Sequence, residues 1–382
     1  MCIPSAAIAD LPSPAFVVDQ ALLERNLQIL GRVQRQSGAK IVLALKGFAM
    51  WHFAGLIREY LAGTTASGLW EAKLGREFFG GEVHTHGPAF AADELAELLA
   101  LSDHISFNSL AQWRRFRPLI DAAEHAPRAG LRINPEHSEV TTQLYDPCAA
   151  KSRLGVRAMD LAGQDLEGIS GLHFHTLCEL GSDALARTLE VVEAKFGAQF
   201  GRIEWMNFGG GHHITREDYD LEQLLQLLRS HRQRYGHEVI LEPGEAVALN
   251  TGVLLATVLD IVHNELPIAI LDVSATAHMP DVLEMPYRPE LEGGGAPGDK
   301  PLLYRLAGNT CLAGDVIGDY SFDAPLQVGS RLVFGDMAHY SMVKTTMFNG
   351  VRHPDLVQFD SRTGGWELLR RFEYEDFKAR LG

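Results

Sequence analysis

The chain is short of cysteine, of uninterrupted apolar runs and of positive charge, and each shortage removes a class of protein. Its four cysteines among 382 residues, Cys2, Cys148, Cys178 and Cys311, form no Cys-x-x-Cys pair. Neither a disulfide framework nor a zinc ribbon is expected, and a reducing, cytoplasmic setting fits better. The longest apolar stretch, 246–262, carries Asn250, Thr251, Gly252 and Asp260. It therefore reads as buried strands and not as a membrane span. Near the start, Pro4, Pro12 and Pro14 interrupt the apolar residues and no basic region precedes them, which argues against a signal peptide. Lys and Arg number 34 against 49 Asp and Glu, a net charge of −15. Nucleic acids and anionic membranes call for a cationic face, so neither is an expected partner. Small cationic partners are favoured.

What is present is a soluble composition, 46% hydrophobic, on a chain long enough for two domains or a barrel with an attachment. Residues 15–19 read as a strand leading into a helix whose apolar positions Leu22, Leu23, Leu27, Leu30 and Val33 keep a helical period. Short β-like runs follow at 41–46, 64–67, 83–87, 104–108, 130–134, 169–175, 203–209 and 239–242. Helical patterns such as 93–101, 184–196 and 221–235 lie between them. Eight strand–helix units in roughly 200 residues predict an α/β fold built as a (β/α)8 barrel. A doubly wound sheet is the alternative, because strand order is invisible in sequence. Beyond 246 the texture changes to Val- and Leu-rich runs at 246–259, 267–272, 302–307 and 331–334, separated by Gly/Pro turns. This predicts a C-terminal antiparallel β domain, with 284–300 as a loop inside it. The expected division is a barrel over 20–245 and a β domain from 1–19 and 246–382.

Barrel chemistry gathers at the C-terminal ends of the strands. The residues there are Lys46, Asn108, Arg132, His175, Gly209-Gly210-Gly211 and Glu242. A lysine ending an apolar strand either emerges into solvent or, desolvated, serves as an imine-forming amine. Three glycines let backbone N–H groups approach an anion such as a phosphate. His173 and His175 share one side of their strand and could ligate a metal, offer a flat surface to a planar cofactor, or be satisfied in the core. Partners for a metal among His84, His86, His212, His213 and His278 do not assemble into a convincing set, and no metal is expected. Glu242 suits either an ion pair or the protonated nitrogen of a pyridine ring. The order lysine, histidine, glycines, carboxylate around one barrel describes a pyridoxal phosphate site.

On these motifs the chain resembles the alanine-racemase-like, fold type III pyridoxal-phosphate decarboxylases, the family of ornithine and diaminopimelate decarboxylases. Ala44-Leu-Lys46 looks like its Schiff-base lysine motif, Phe174-His175 like the histidine stacked on the ring, and Glu242-Pro-Gly244 like the glutamate on the pyridine nitrogen. Gly209-Gly210-Gly211 matches its phosphate loop, and Tyr340 in Asp336-Met-Ala-His-Tyr340 the tyrosine that reaches the phosphate. Arg132 joins these as an expected cofactor contact. Gly308-Asn-Thr-Cys311 with Asp315 resembles the loop that a partner subunit inserts into the site. The resemblance thus implies pyridoxal phosphate, Cys311 as the proton donor, and a homodimer with shared sites.

The departures bear on substrate. Glu245 stands where ornithine and diaminopimelate enzymes have a basic residue, and Leu312 follows the cysteine where they have an acid. Asp281 and Glu284 lie near where diaminopimelate enzymes use an arginine. With Leu172–Glu179, this implies the branch of the family acting on carboxylated triamines (carboxynorspermidine and carboxyspermidine), with Glu245, Asp281 and Asp315 binding amines. A diaminopimelate- or ornithine-type decarboxylase is the alternative.

Overall fold

The structure, a computed structural model, describes residues 5–382, so Cys2 and Pro4 lie outside the described residues. The chain divides into Glu24–Val247 and a second unit of Met1–Leu23 with Ala248–Gly382. After strand β1 (Ala15–Asp19) come the barrel strands β2 (Lys40–Ala44), β3 (Gly63–Ala66), β4 (Glu82–His86), β5 (His104–Phe107) and β6 (Arg128–Asn134). A short β7 (Val156–Arg157) pairs only with β6, and β8 (Gly171–His173), β9 (Trp205–Asn207) and β10 (Glu238–Leu241) complete the set. The pairing runs β5-β4-β3-β2-β10-β9-β8-β6 and closes through β5 with β6, all parallel. The (β/α)8 barrel is therefore the observed fold, and the doubly wound alternative is excluded.

Helices such as Ala92–Leu101, Ser182–Phe196 and Leu221–Tyr235 return the chain between strands. The last begins with Asp220 accepting from the Gln223 N–H at 2.9 Å and ends at Gly236 with φ 75°, an N-cap and a left-handed stop. Strands β2, β5, β8 and β9 are shorter than the runs that announced them, whereas β6 is longer. Lys46 and His175 lie beyond the strand ends, in the turns where a rim residue must be.

Inside the barrel, side chains two residues apart share a face. Val42, Trp205 and Ile240 pack at mid-height. The Trp205 ring fills space that a Cβ on Gly130 or Gly171 would occupy. The N-terminal floor is polar. Lys40 Nζ contacts Glu82 at 2.5 Å and Glu238 at 3.0 Å, and Arg128 contacts Glu238 at 2.8 Å. His84 lies 2.9 Å from Glu82 and its ring stands 4.2 Å from that of His104.

The second unit holds an eight-stranded sheet of β1, β11 (Gly252–Asn264), β12 (Leu266–Leu271), β13 (Leu302–Ala307), β14 (Val316–Phe322), β15 (Arg331–Phe334), β16 (Asp355–Asp360) and β17 (Gly365–Arg370). Phe16, Leu254, Tyr320 and Phe334 belong to its core. Two expectations are corrected. The sheet is mixed and not purely antiparallel, since β1 pairs with β16 and β12 with β13 in parallel. Parallel neighbours need a long crossover, and the segment 272–301, with two short helices, supplies the one between β12 and β13. The run from 246 opens as a helical turn, Glu245–Ala248, and its strand begins only at Gly252. Among the described residues no helix is long and apolar enough to cross a membrane.

Burial pushes the Glu82 carboxyl up, but His84 and Lys40 outweigh it and bring its pKa down to about 2 from 4.5. A carboxyl depressed on folding stabilises above its unfolded pKa, and loses that contribution as pH falls through the folded value. Glu82→Gln should therefore lower the thermal midpoint at neutral pH, with the gap to the parent closing between pH 4.5 and about 2. Parallel midpoint-against-pH curves would sink this account of the floor.

Candidate active site

A cavity opens at the C-terminal end of the barrel, lined by Lys46, His86, Arg132, His173, His175 and Glu242, with Gly210 beside them. Five of the expected residues are thus brought together by the ends of five different strands. The cavity also contains His86 and His173, which the sequence offers among candidate metal ligands but not in the expected cofactor site. Their signal lay in spacing, since His173 sits two residues before His175 and His86 ends β4.

Glu242 is the buried charge. Its Oε1 accepts from Asn207 Nδ2 at 2.7 Å, and its Oε2 lies 3.3 Å from His173 Nε2. Burial alone would raise this carboxyl, but His173 and Asn207 hold it well below the usual carboxylate range. Asn207 was not foreseen, because an amide inside an apolar run carries no mark of function. Its Oδ1 accepts from the Gly209 N–H at 2.8 Å, which fixes which way the amide faces.

Lys46 lines the mouth, with its side chain exposed to the cavity. Burial, reinforced by Arg132, lowers its pKa. Its Nζ is 3.4 Å from His175 Nε2, while His175 Nδ1 accepts from the Gly210 N–H at 3.0 Å. A backbone N–H can only donate, so a neutral His175 carries its proton on Nε2. Burial, then Lys46 and Arg132, keep the ring neutral by pushing its pKa well below the ordinary value. Nε2–H therefore faces Lys46, a contact that a free amine accepts and an ammonium cannot.

Arg132 is buried, which lowers its pKa to about 10. It donates to His86 Nε2 at 2.8 Å and to the His175 carbonyl at 3.3 Å. His86 Nδ1 lies 3.0 Å from the Ser106 carbonyl, so His86 donates from Nδ1 and accepts at Nε2, again as a neutral ring. A buried guanidinium bonded to neutral acceptors is suited to an anionic ligand.

The glycine loop works by close approach. Cβ atoms on Gly209 and Gly211, at φ 71° and 80°, would run into the carbonyls of Phe174 and Leu177. The N–H groups of Gly209 and Gly210 hold Asn207 and His175, so two of the triplet orient side chains instead of pointing at a ligand. The adjoining His213 Nε2 lies 3.3 Å from Glu245 Oε2. The set fits pyridoxal phosphate: an amine of lowered pKa, a neutral flat ring beside it, a buried carboxylate, an anion-seeking guanidinium and a loop only glycine permits. Among the described residues, the one trio of histidines and acids close enough to share an ion is Glu82, His84 and His104. It lies at the strand starts, where Lys40 already contacts Glu82.

The remaining expected residues lie in the sheet unit. Cys311 is exposed, and its N–H donates to Asn349 Oδ1 at 2.8 Å. Tyr340 has φ 35° and the nearby Asp336 φ 54°, conformations that cost of order 1–3 kcal/mol for a side-chain-bearing residue. Asp281 and Glu284 both meet Lys344 Nζ, each at 2.5 Å. Asp315 departs from expectation. It is 3% exposed, and both its oxygens accept from Ser274, Ala275, Thr276 and Thr310, so it builds its own loop and does not present a free carboxylate to an amine.

The family model described as pyridoxal-dependent decarboxylase, C-terminal sheet domain, matches residues 15–338. A carboxyaminopropylagmatine decarboxylase of Synechocystis sp. is 50% identical over 98% of this chain and 97% of its own. A carboxynorspermidine/carboxyspermidine decarboxylase of Campylobacter jejuni is 46% identical over 97% of this chain and 98% of its own. The crystal structure of carboxynorspermidine decarboxylase from Campylobacter jejuni complexed with norspermidine superposes with a TM-score of 0.89 at 44% identity, covering 97% of this chain and all of that one.

The cradle geometry gives a direct test. Gly211→Ala adds both left-handed strain and an overlap with the Leu177 carbonyl, and should destabilise the protein by about 1–3 kcal/mol. A chemical-denaturation midpoint and slope unchanged from the parent would contradict it.

Proposed function

The chain belongs to the pyridoxal-dependent decarboxylases, and from that premise we propose that it removes the carboxylate of a carboxylated polyamine in polyamine biosynthesis. Carboxynorspermidine and carboxyspermidine are its foremost substrates in this reading. One observation carries it: Lys46, neutral His175 and ionised Glu242 share a single cavity in a chain with full-length likeness to decarboxylases of such compounds. By contrast, a diaminopimelate decarboxylase of Deinococcus radiodurans is 25% identical over 64% of this chain.

Pyridoxal phosphate, when bound, draws into its ring the electron pair left as CO2 departs. Lys46 is the amine that would hold it covalently. His175 would offer its flat ring to the cofactor, and Glu242 would keep a proton on the pyridine nitrogen through a charge-assisted contact. Arg132 and the glycine loop would hold its anionic oxygens. The reaction replaces one carboxylate by one proton, and Cys311 delivers that proton to carbon from a partner subunit. The sheet unit would then complete its neighbour's site, which makes a homodimer the working form, in a cytoplasmic setting. In the barrel unit Glu245, three residues beyond Glu242 in the chain, is the acid for a distal ammonium. Carboxyaminopropylagmatine is the second reading, on the strength of the 50% identical relative.

CO2 release should be measured with carboxynorspermidine, carboxyspermidine, carboxyaminopropylagmatine and meso-diaminopimelate. One of the two triamines should give the highest kcat/KM; preference for the agmatine compound selects the second reading, and preference for diaminopimelate overturns both. Borohydride should fix the cofactor to Lys46. Lys46→Ala and Cys311→Ala subunits, each inactive alone, should recover activity when mixed, because one of the two sites in a mixed dimer keeps both residues. No recovery in a dimer shown to have exchanged subunits would refute the shared site.

A further inference from the structure

The turn that carries Cys311 is tied together by a single buried carboxylate. Asp315 Oδ2 accepts from Ser274 Oγ at 2.8 Å, from Thr310 Oγ1 at 2.6 Å and from the Thr310 N–H at 3.2 Å. Its Oδ1 accepts from the N–H groups of Ala275 at 2.8 Å and Thr276 at 3.3 Å. The backbone closes the same loop: Gly308 N–H donates to the Asp315 carbonyl at 2.9 Å, and Asp315 N–H to the Leu312 carbonyl at 3.0 Å. Any Cβ at Gly308 would meet the Asp315 carboxylate. The far side of the turn is held by Asn349, in the left-handed region at φ 57°, whose Oδ1 receives the Cys311 N–H at 2.8 Å. Cys311 itself remains exposed.

We propose that Asp315 and Asn349 are positioning residues, which fix the turn from Thr310 to Leu312 so that the Cys311 thiol is presented in one direction. The idea rests on Cys311 as the proton donor, and it assigns Asp315 a different task from binding a substrate amine. A turn whose acceptor side is a buried carboxylate with five donors has little freedom, and a proton must be delivered to one carbon with the geometry set in advance. Asparagine at 315 keeps the size but supplies one acceptor oxygen in place of two, so two or more donors lose their partner.

The two assignments separate kinetically. A residue binding the substrate's amine raises KM when altered, whereas one that aims the proton donor lowers kcat. In the holoenzyme, Asp315→Asn should lower kcat per cofactor-loaded site by about tenfold or more with KM within about twofold, as expected for a small misplacement. Asn349→Ala, at an exposed position, should lower kcat in the same direction but by less. The rate at which iodoacetamide alkylates Cys311 should change in both variants. A raised KM with kcat kept would return Asp315 to the substrate. Unchanged kcat and unchanged alkylation in both variants would leave Asp315 a purely structural acid and overturn the proposal. Cys311→Ala with full activity would instead remove the reading of Cys311, while the alkylation rates would still report whether Asp315 and Asn349 aim the thiol.

Discussion

An ionised carboxylate inside a barrel is the constraint from which the rest of the cavity follows. Leaving Glu242 charged and desolvated would cost several kcal/mol, so its oxygens must be met. Asn207 meets one, and through its own oxygen Asn207 fixes the Gly209 N–H. The next amide, Gly210, fixes the His175 ring, and the ring's remaining proton faces the Lys46 amine. An unbroken line of hydrogen bonds and one peptide unit thus runs from the carboxylate to the amine. The line biases protonation throughout: the acid is held deprotonated, the imidazole neutral, and the amine's pKa is lowered. Those are the states in which a pyridinium could be paired at one end and a carbonyl attacked at the other.

Such coupling explains why the glycine triplet is strict. Gly209 and Gly211 adopt left-handed φ angles against neighbouring carbonyls, and their compactness lets the loop reach back to Asn207 and His175. An ordinary phosphate cradle would need all its N–H groups aimed outward. Here two of the three look inward, so the loop serves side-chain geometry at least as much as anion binding.

The barrel and the rim were legible because a polar residue near the end of a strand breaks an apolar run, and Lys46, Arg132 and Glu242 each do so. What stayed hidden obeys the same period of two, one step further down. Asn207 lies two residues before Gly209, inside a run that reads as core, and His173, visible beside His175, gave no sign of its place next to Glu242. The floor of Lys40, Glu82, Arg128 and Glu238 joins strand starts from distant parts of the chain, and no local pattern announces such pairs. Parallel pairing of β1 with β16 spans almost the whole sequence, so the mixed character of the sheet could not be read from its alternation. The helical turn at Glu245–Ala248 was masked because four apolar residues fit a buried strand or a buried turn equally well.

Net charge was the weakest guide, and the ion pairs show why. Of the acids first assigned to amines, Asp315 is engaged on both oxygens, Asp281 shares Lys344 with Glu284, and Glu245 stands beside His213. A surplus of acids therefore does not amount to vacant acids. A cationic chain reaching Asp281 must displace an ammonium already 2.5 Å away, and the exchange of one amine for another is close to neutral in charge. Selectivity there would come from shape and reach, since a triamine offers several amines along its length whereas Lys344 offers one fixed by its backbone. The −15 of the sequence sets the field through which such a substrate approaches; the pairing of individual carboxylates decides where it can bind.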